Sequence, residues 1–138
     1  MNIRPYHPDD HASVVALWVA VFPDSTGRNE PNGAIERKVA VDDGLFFVAE
    51  DAGVVIGTVL AGYDGHRGWL YSLAVAPDRR RRGIATQLVR HAEGALTQLG
   101  CPKLNLQVRA ENAEVVAFYE SLGFHIEPRI SLGKLLSR

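Results

Sequence analysis

The chain of 138 residues has one cysteine, Cys101, and one methionine, its first residue. A lone thiol excludes an internal disulfide, and Cys101 has no second Cys or His at zinc-ligand spacing. Its plain reading is a small, partly buried residue before the Pro102 turn. The histidines, His7, His11, His66, His91 and His125, are likewise scattered without a metal-ligand pattern. No apolar run approaches the roughly 20 residues that a bilayer requires, and the first residues lack the charged-then-apolar pattern of a signal peptide. Charge of one sign is also lacking. Lys and Arg number 15 against 16 Asp and Glu, a net of −1, so no broad basic field for nucleic acid is expected. There is no Gly-x-Ser-x-Gly elbow for acyl-enzyme chemistry and no Gly-Lys-Ser/Thr phosphate loop. Repeats, linkers and low-complexity segments are missing too. These gaps lead to the expectation of one cytoplasmic domain over residues 1–138, without a metal, nucleic acid or membrane partner.

What is present is a core: 46% of the residues are apolar, enough for one domain of ordinary size. Residues 3–6 read as a short strand that Pro5 confines to an edge. Asp9 or Asp10 is the expected cap of a helix with the stripe Val14, Leu17, Trp18 and Val21. Residues 23–33 are rich in turn formers and read as a loop. A short helix is expected over 34–41, with Ile35 and Val39 inward. The apolar run 45–50, the turn 51–53 and the β-rich run 54–63 make a hairpin. Gly57 and Gly62 in its second strand mark bulges or close backbone approaches. A further turn at 64–68 returns the chain as a strand over 69–75. A helix over 83–99 then leads to the alternation Leu104, Leu106, Val108, and this spacing allows a parallel pairing. Asn112 caps a helix over 113–122, which Gly123 ends. Residues 124–126 and 130–136 are expected to close the sheet. The fold class is thus α/β (α+β): a central mixed, mostly antiparallel sheet flanked by helices.

The chain is organised around residues 73–86. A strand ends at Pro77, the arginines 79–82 and Gly83 follow, and a helix begins with the stripe Ile84, Leu88, Ala92, Leu96 and Leu99. The first N–H groups of a helix have no internal partner and carry the positive end of its dipole. A glycine there lets an anion come close to the main chain. Two readings stand side by side: a solvated basic turn, the usual fate of an arginine run, and a pocket for a diphosphate.

Arg80-x-x-Gly83-x-Ala85 resembles the (Arg/Gln)-x-x-Gly-x-(Gly/Ala) signature of the GNAT superfamily of N-acetyltransferases. The preceding Leu73-Ala74-Val75-x-Pro77 resembles that family's fourth strand. Asn112-x-x-x-Val116-x-Phe118-Tyr119-x-x-Leu122-Gly123-Phe124 is similar to its C-terminal motif. The motifs stand in the family's order and cover about the last half of the chain. The turn 63–68 and Gly100-Cys101-Pro102-Lys103 resemble small bacterial members of the YpeA type. Residues 109–124 also resemble acetyltransferases of ribosomal protein N-termini, a likeness that follows the coenzyme and not the acceptor.

The resemblance implies acetyl coenzyme A as co-substrate. The N–H groups of Arg81, Arg82, Gly83, Ile84, Ala85 and Thr86 would take its diphosphate, with Arg80 among the side chains at the rim. Leu73, Ala74 and Val75 would pair with the pantetheine amides like an added strand. A main-chain N–H there would face the thioester oxygen. The family's fourth and fifth strands splay apart at this place. Asn112 would cap its helix and touch the coenzyme arm. Tyr119 matches the tyrosine that protonates the leaving thiolate, although Val115, Phe118, Tyr119 and Leu122 also form a helical core stripe. Relatives carry a glutamate early in the fourth strand where Trp69 stands here. The base is therefore open among Glu50, Asp64, His66, Glu111 and water. The acceptor is a small-molecule or peptide amine, approached over the first two helices. Edge strands at the C-terminus would let two copies pair as a homodimer. The competing reading is a sensor that binds acyl coenzyme A without turnover.

Overall fold

The computed structural model describes residues 1–136. They fall into two compact units, 1–107 and 108–136, and each is described by itself.

In the first unit the elements run β1 (Asn2–Pro5), α1 (His11–Val21), α2 (Pro31–Val41), β2 (Phe46–Asp51), β3 (Val54–Tyr63), β4 (Gly68–Val75), α3 (Ile84–Gln98) and β5 (Leu104–Leu106). The sheet order is β1-β2-β3-β4-β5. The first four strands are antiparallel neighbours, and β5 joins β4 in parallel. Pro5 does sit on an edge strand, where its missing N–H breaks no inner ladder.

The run of phenylalanines in β2 is continuous because both faces of the strand are covered. Phe46 packs with Trp18 of α1, centroids 6.0 Å apart. Phe47, pointing the other way, meets His91 of α3 edge-on at 4.6 Å. One face thus carries α1 and α2, with Val14, Leu17, Trp18 and Ile35 buried against Phe46, Val48, Leu60 and Ala74. The other carries α3, which buries Ile84, Leu88, Val89, Ala92 and Leu96. Each such leucine contributes on the order of 2–5 kcal/mol against truncation to alanine. Gly57 is a close approach: a Cβ there would lie 2.9 Å from Leu88 Cδ1 and 3.0 Å from the Ala74 carbonyl oxygen. At Gly62 nothing lies within 4 Å, so that glycine marks no close approach.

Several expectations need correction. The second helix begins at Pro31, inside the stretch read as loop, because Pro31 supplies a preset first turn and Glu30 caps it. A short 3-10 turn, Gly27–Asn29, interrupts the same loop. Val39 is 47% exposed; Lys38, not Val39, turns inward beside Ile35. Leu99 lies beyond the last turn of α3 and is exposed. The Asp10 carboxylate does not cap α1. It accepts from the His7 N–H at 2.8 Å and from Arg4 at 2.8 and 2.9 Å; charge-assisted bonds to a guanidinium outcompete a helix N–H.

The second unit contains α4 (Ala113–Ser121). Asn112 caps it as expected, its Oδ1 accepting from the Val115 N–H at 3.3 Å. The strands expected over 124–126 and 130–136 do not form: among the described residues no strand follows β5. Ile126, Ile130, Leu132, Leu135 and Leu136 are instead 76–91% exposed. Alternating apolar residues specify a strand only where an edge receives them.

Candidate functional site

β4 carries two features that its sequence alone does not show. Its pairing with β5 involves only Gly68, Trp69 and Leu70. Beyond Leu70, the β5 side of β4 has no strand beside it among the described residues. The strand also bulges. Thr58 of β3 faces Ala74 and Leu60 faces Tyr71, so Val59 stands opposite both Ser72 and Leu73. Ser72 takes φ +50°, a left-handed conformation uncommon for a residue with a side chain. A bulge of this kind re-aims the strand and its main-chain groups.

After β4, the Ala76 N–H donates to the Ile56 carbonyl at 2.8 Å, and a 3-10 turn, Pro77–Arg79, turns the chain. The arginines then divide. Arg79 is held by Asp51, Nη1 to Oδ2 2.7 Å. Arg80, Arg81 and Arg82 are exposed and form no ion pair among the described residues. Arg81 has φ +63° and Gly83 φ +76°. Gly83 is the N-cap of α3 and no side chain caps it. A Cβ at position 83 would meet nothing within 4 Å, so its backbone conformation, not crowding inside the chain, calls for glycine. Ile84 is buried and anchors the first turn, with Ala85 and Thr86 half-buried beside it. The first unit therefore brings Leu73, Ala74 and Val75, on an open strand end, into one continuous segment with the uncapped helix start at residues 80–86.

In the second unit Tyr119 is 8% exposed. Its ring meets Phe118 and Phe124 edge-on, with centroids at 5.1 and 5.4 Å. Burial pushes its pKa up to about 12, so the phenol is protonated at neutral pH. Its hydroxyl forms no hydrogen bond among the described residues. The side chain is a core residue, as its helical spacing implied, yet its hydroxyl has no partner there.

The candidate bases are occupied or exposed. Glu50 binds Arg4 at 2.7 Å. Asp64 accepts from the N–H groups of Arg67 and His66, each at 2.8 Å, and from the Trp69 indole at 3.3 Å. These bonds, Arg67's first, lower its pKa and make it a poor base. His66 and Glu111 are exposed. Among the described residues no cluster of His, Cys, Asp or Glu could hold a metal ion.

Two arrangements have no counterpart in the sequence reading. The ammonium of Lys38 is buried in α2, donates to Asp43 at 2.8 Å and to the Ala61 carbonyl, and lies 5.7 Å from the centre of the Tyr71 ring. Trp18, Thr58 and Ser72 form a buried hydrogen-bond chain. Apart from Lys38 and Asp43, the bonded partners lie 14 to 40 residues apart in the chain, so residue spacing gives no signal of them.

A family model described as the acetyltransferase (GNAT) family matches residues 6–124. An acetyltransferase of Yersinia pestis (strain Pestoides F) is 44% identical, with 99% of this chain and 96% of the relative covered. Among solved structures, the aminoglycoside antibiotic 6′-N-acetyltransferase AAC(6′)-Ig of Acinetobacter haemolyticus is similar in fold. Its TM-score is 0.79 at 23% identity, covering 99% of this chain and 100% of that one. The aminoglycoside N-acetyltransferase AAC(6′)-Iy in complex with CoA gives a TM-score of 0.79 at 22% identity, covering 97% and 93%. A family model spanning most of the chain and a relative so similar over its length lead to one conclusion: the chain belongs to the GNAT family of acetyltransferases.

Proposed function

We propose that residues 1–138 act as one N-acetyltransferase domain, which moves the acetyl group of acetyl coenzyme A to a primary amine by direct attack. The observation that carries this is the start of α3: uncapped, entered through left-handed Arg81 and Gly83, rimmed by unpaired arginines, and fed by the open end of β4. The diphosphate fits a helix end that no side chain satisfies. The pantetheine amides fit a strand edge without a neighbour. Asn112 contributes to the coenzyme arm.

In the reaction the neutral amine nitrogen bonds to the thioester carbon, and the carbonyl electrons move onto oxygen. When the carbonyl re-forms, the C–S bond breaks and its electron pair stays on sulfur. Tyr119 gives the leaving thiolate its phenolic proton and regains one from water. The proton lost by the amine goes to water, since Glu50 and Asp64 are engaged elsewhere. The acceptor is a small-molecule or peptide amine, and the protein works in the cytoplasm. The exposed apolar tail from Ile126 to Leu136 is covered in a homodimer, which light scattering would read as a doubled mass.

Calorimetry with acetyl coenzyme A and with ATP is the first test: binding of the former alone is expected. Free-thiol release across a panel of polyamines, aminoglycosides and short peptides is the second. No binding of the coenzyme would refute the proposal. Binding without thiol release from any amine would favour the sensor.

A further inference from the structure

The β4 bulge is held from behind by a side chain that no part of the reaction touches. Thr58 lies in β3, with 0% exposure, between Val48 of β2 and Ala74 of β4. The Trp18 indole Nε1–H donates to Thr58 Oγ1 at 2.9 Å. The Thr58 hydroxyl donates to the Ser72 carbonyl oxygen at 2.9 Å. A hydroxyl has one proton and two lone pairs. The indole proton occupies one lone pair, so the hydroxyl's own proton is aimed at Ser72. Valine has nearly the same shape but no hydroxyl, so it could neither accept from Trp18 nor donate to Ser72.

Neither Ser72 nor Leu73 has a partner in the β3 ladder, so ladder pairing does not orient the peptide between them. Ser72 is also left-handed, at φ +50°; such a conformation persists only where its surroundings over-determine it. That peptide is trans, so its C=O and N–H point in opposite directions. Pinning the Ser72 carbonyl towards Thr58 of β3 turns the Leu73 N–H away from β3, towards the side that β5 leaves free.

We propose that Thr58, locked in its rotamer by Trp18, is a positioning residue: it fixes the Ser72–Leu73 peptide so that the Leu73 N–H donates to the thioester oxygen of acetyl coenzyme A. This rests on the coenzyme reading above. A donor fixed before the substrate arrives needs no reorganisation as negative charge grows on that oxygen.

Isotope-edited infrared spectroscopy of acetyl coenzyme A, labelled with carbon-13 at the thioester carbonyl, reads this bond directly. In the parent chain the bound carbonyl band lies below that of the free coenzyme. By calorimetry, acetyl coenzyme A binds roughly fivefold more tightly than S-ethyl coenzyme A, which lacks the oxygen, as one hydrogen bond implies. In Thr58→Val the band returns to the free position and the preference falls to about onefold, while coenzyme A itself binds within about twofold of the parent. Thr58→Ser, which keeps the hydroxyl, retains both signals. An unshifted parent band, or a Thr58→Val band identical to the parent's, overturns the inference. A parent chain that binds neither ligand overturns the coenzyme reading instead. If circular dichroism shows that Thr58→Val does not fold, Trp18→Phe carries the test: it frees the hydroxyl to turn, so a band as low as the parent's would refute the role.

Discussion

The N-terminus of α2 is closed by the chain itself, whereas that of α3 is left open. At α2, Pro31 has no N–H to satisfy, and the Glu30 carboxylate accepts from the N–H groups of Asn32 and Gly33 at 2.6 and 3.2 Å. These bonds, Asn32's first, lower the Glu30 pKa. At α3 the N-cap is Gly83, no side chain caps it, the first turn holds no acidic residue, and the three residues before the cap are arginines. Both ends carry the positive pole of a helix dipole, which favours negative charge. A chain that needed only stability would place a carboxylate at α3 as it does at α2. Arginines beside that pole oppose folding slightly and favour the arrival of an anion. Two hydroxyls repeat the contrast: that of Thr58 both accepts and donates, while that of Tyr119 does neither among the described residues.

The comparison fails most visibly if the open hydroxyl has no task. Tyr119→Phe is expected to lower turnover roughly 100-fold or more, the range of a general acid, with acetyl coenzyme A affinity within twofold. Unchanged turnover would make Tyr119 core and nothing else. Titration of the same group sharpens the point. Its folded pKa, about 12, lies above the ordinary phenol value of about 10. The folded state then holds its proton where the unfolded chain has lost it. Stability is therefore intact below about pH 10 and falls as pH rises through the folded pKa, by about 3 kcal/mol in all. Burial raises Tyr6 as well, so the measurement is the difference between the parent and Tyr119→Phe in urea midpoints over this window.

Smaller effects test the helix ends. Gly83→Val puts a β-branched residue at φ +76°. A strain on the order of 1–3 kcal/mol, relieved by shifting the turn, should weaken coenzyme binding roughly tenfold by calorimetry. Unaltered affinity would disconnect that turn from the phosphates. Glu30→Ala should do the reverse, lowering the melting temperature slightly while leaving coenzyme affinity unchanged. A loss of affinity there would mean that the closed end is not merely structural.

Much of the architecture was legible because local chemistry and tertiary packing agree in it. The antiparallel strands β2, β3 and β4, the α3 stripe from Ile84 to Leu96, and Asn112 at α4 follow from periodicity and caps. The start of α2 was missed because turn-forming residues before Pro31 resemble the helix's own capping sequence. The strands expected over 124–126 and 130–136 do not form, because apolar residues after the last helix do not by themselves supply an edge to pair with. For the site, the Arg-Gly turn and Tyr119 are visible in residue order. The bulge at Ser72 and the bonds of Thr58 and Lys38 are not, since they depend on which strands and helices become neighbours.

One small vacancy governs how these parts align. Because position 57 carries only hydrogen, α3 can rest on β3 at a depth where one added carbon would overlap both Leu88 and the Ala74 carbonyl. That carbonyl belongs to Ala74 of β4, one of the residues that would receive the pantetheine. Gly57 therefore acts as a spacer of minimal thickness: it sets the height of the helix above the strand, and with it the offset between the two ends that a single extended cofactor would have to span.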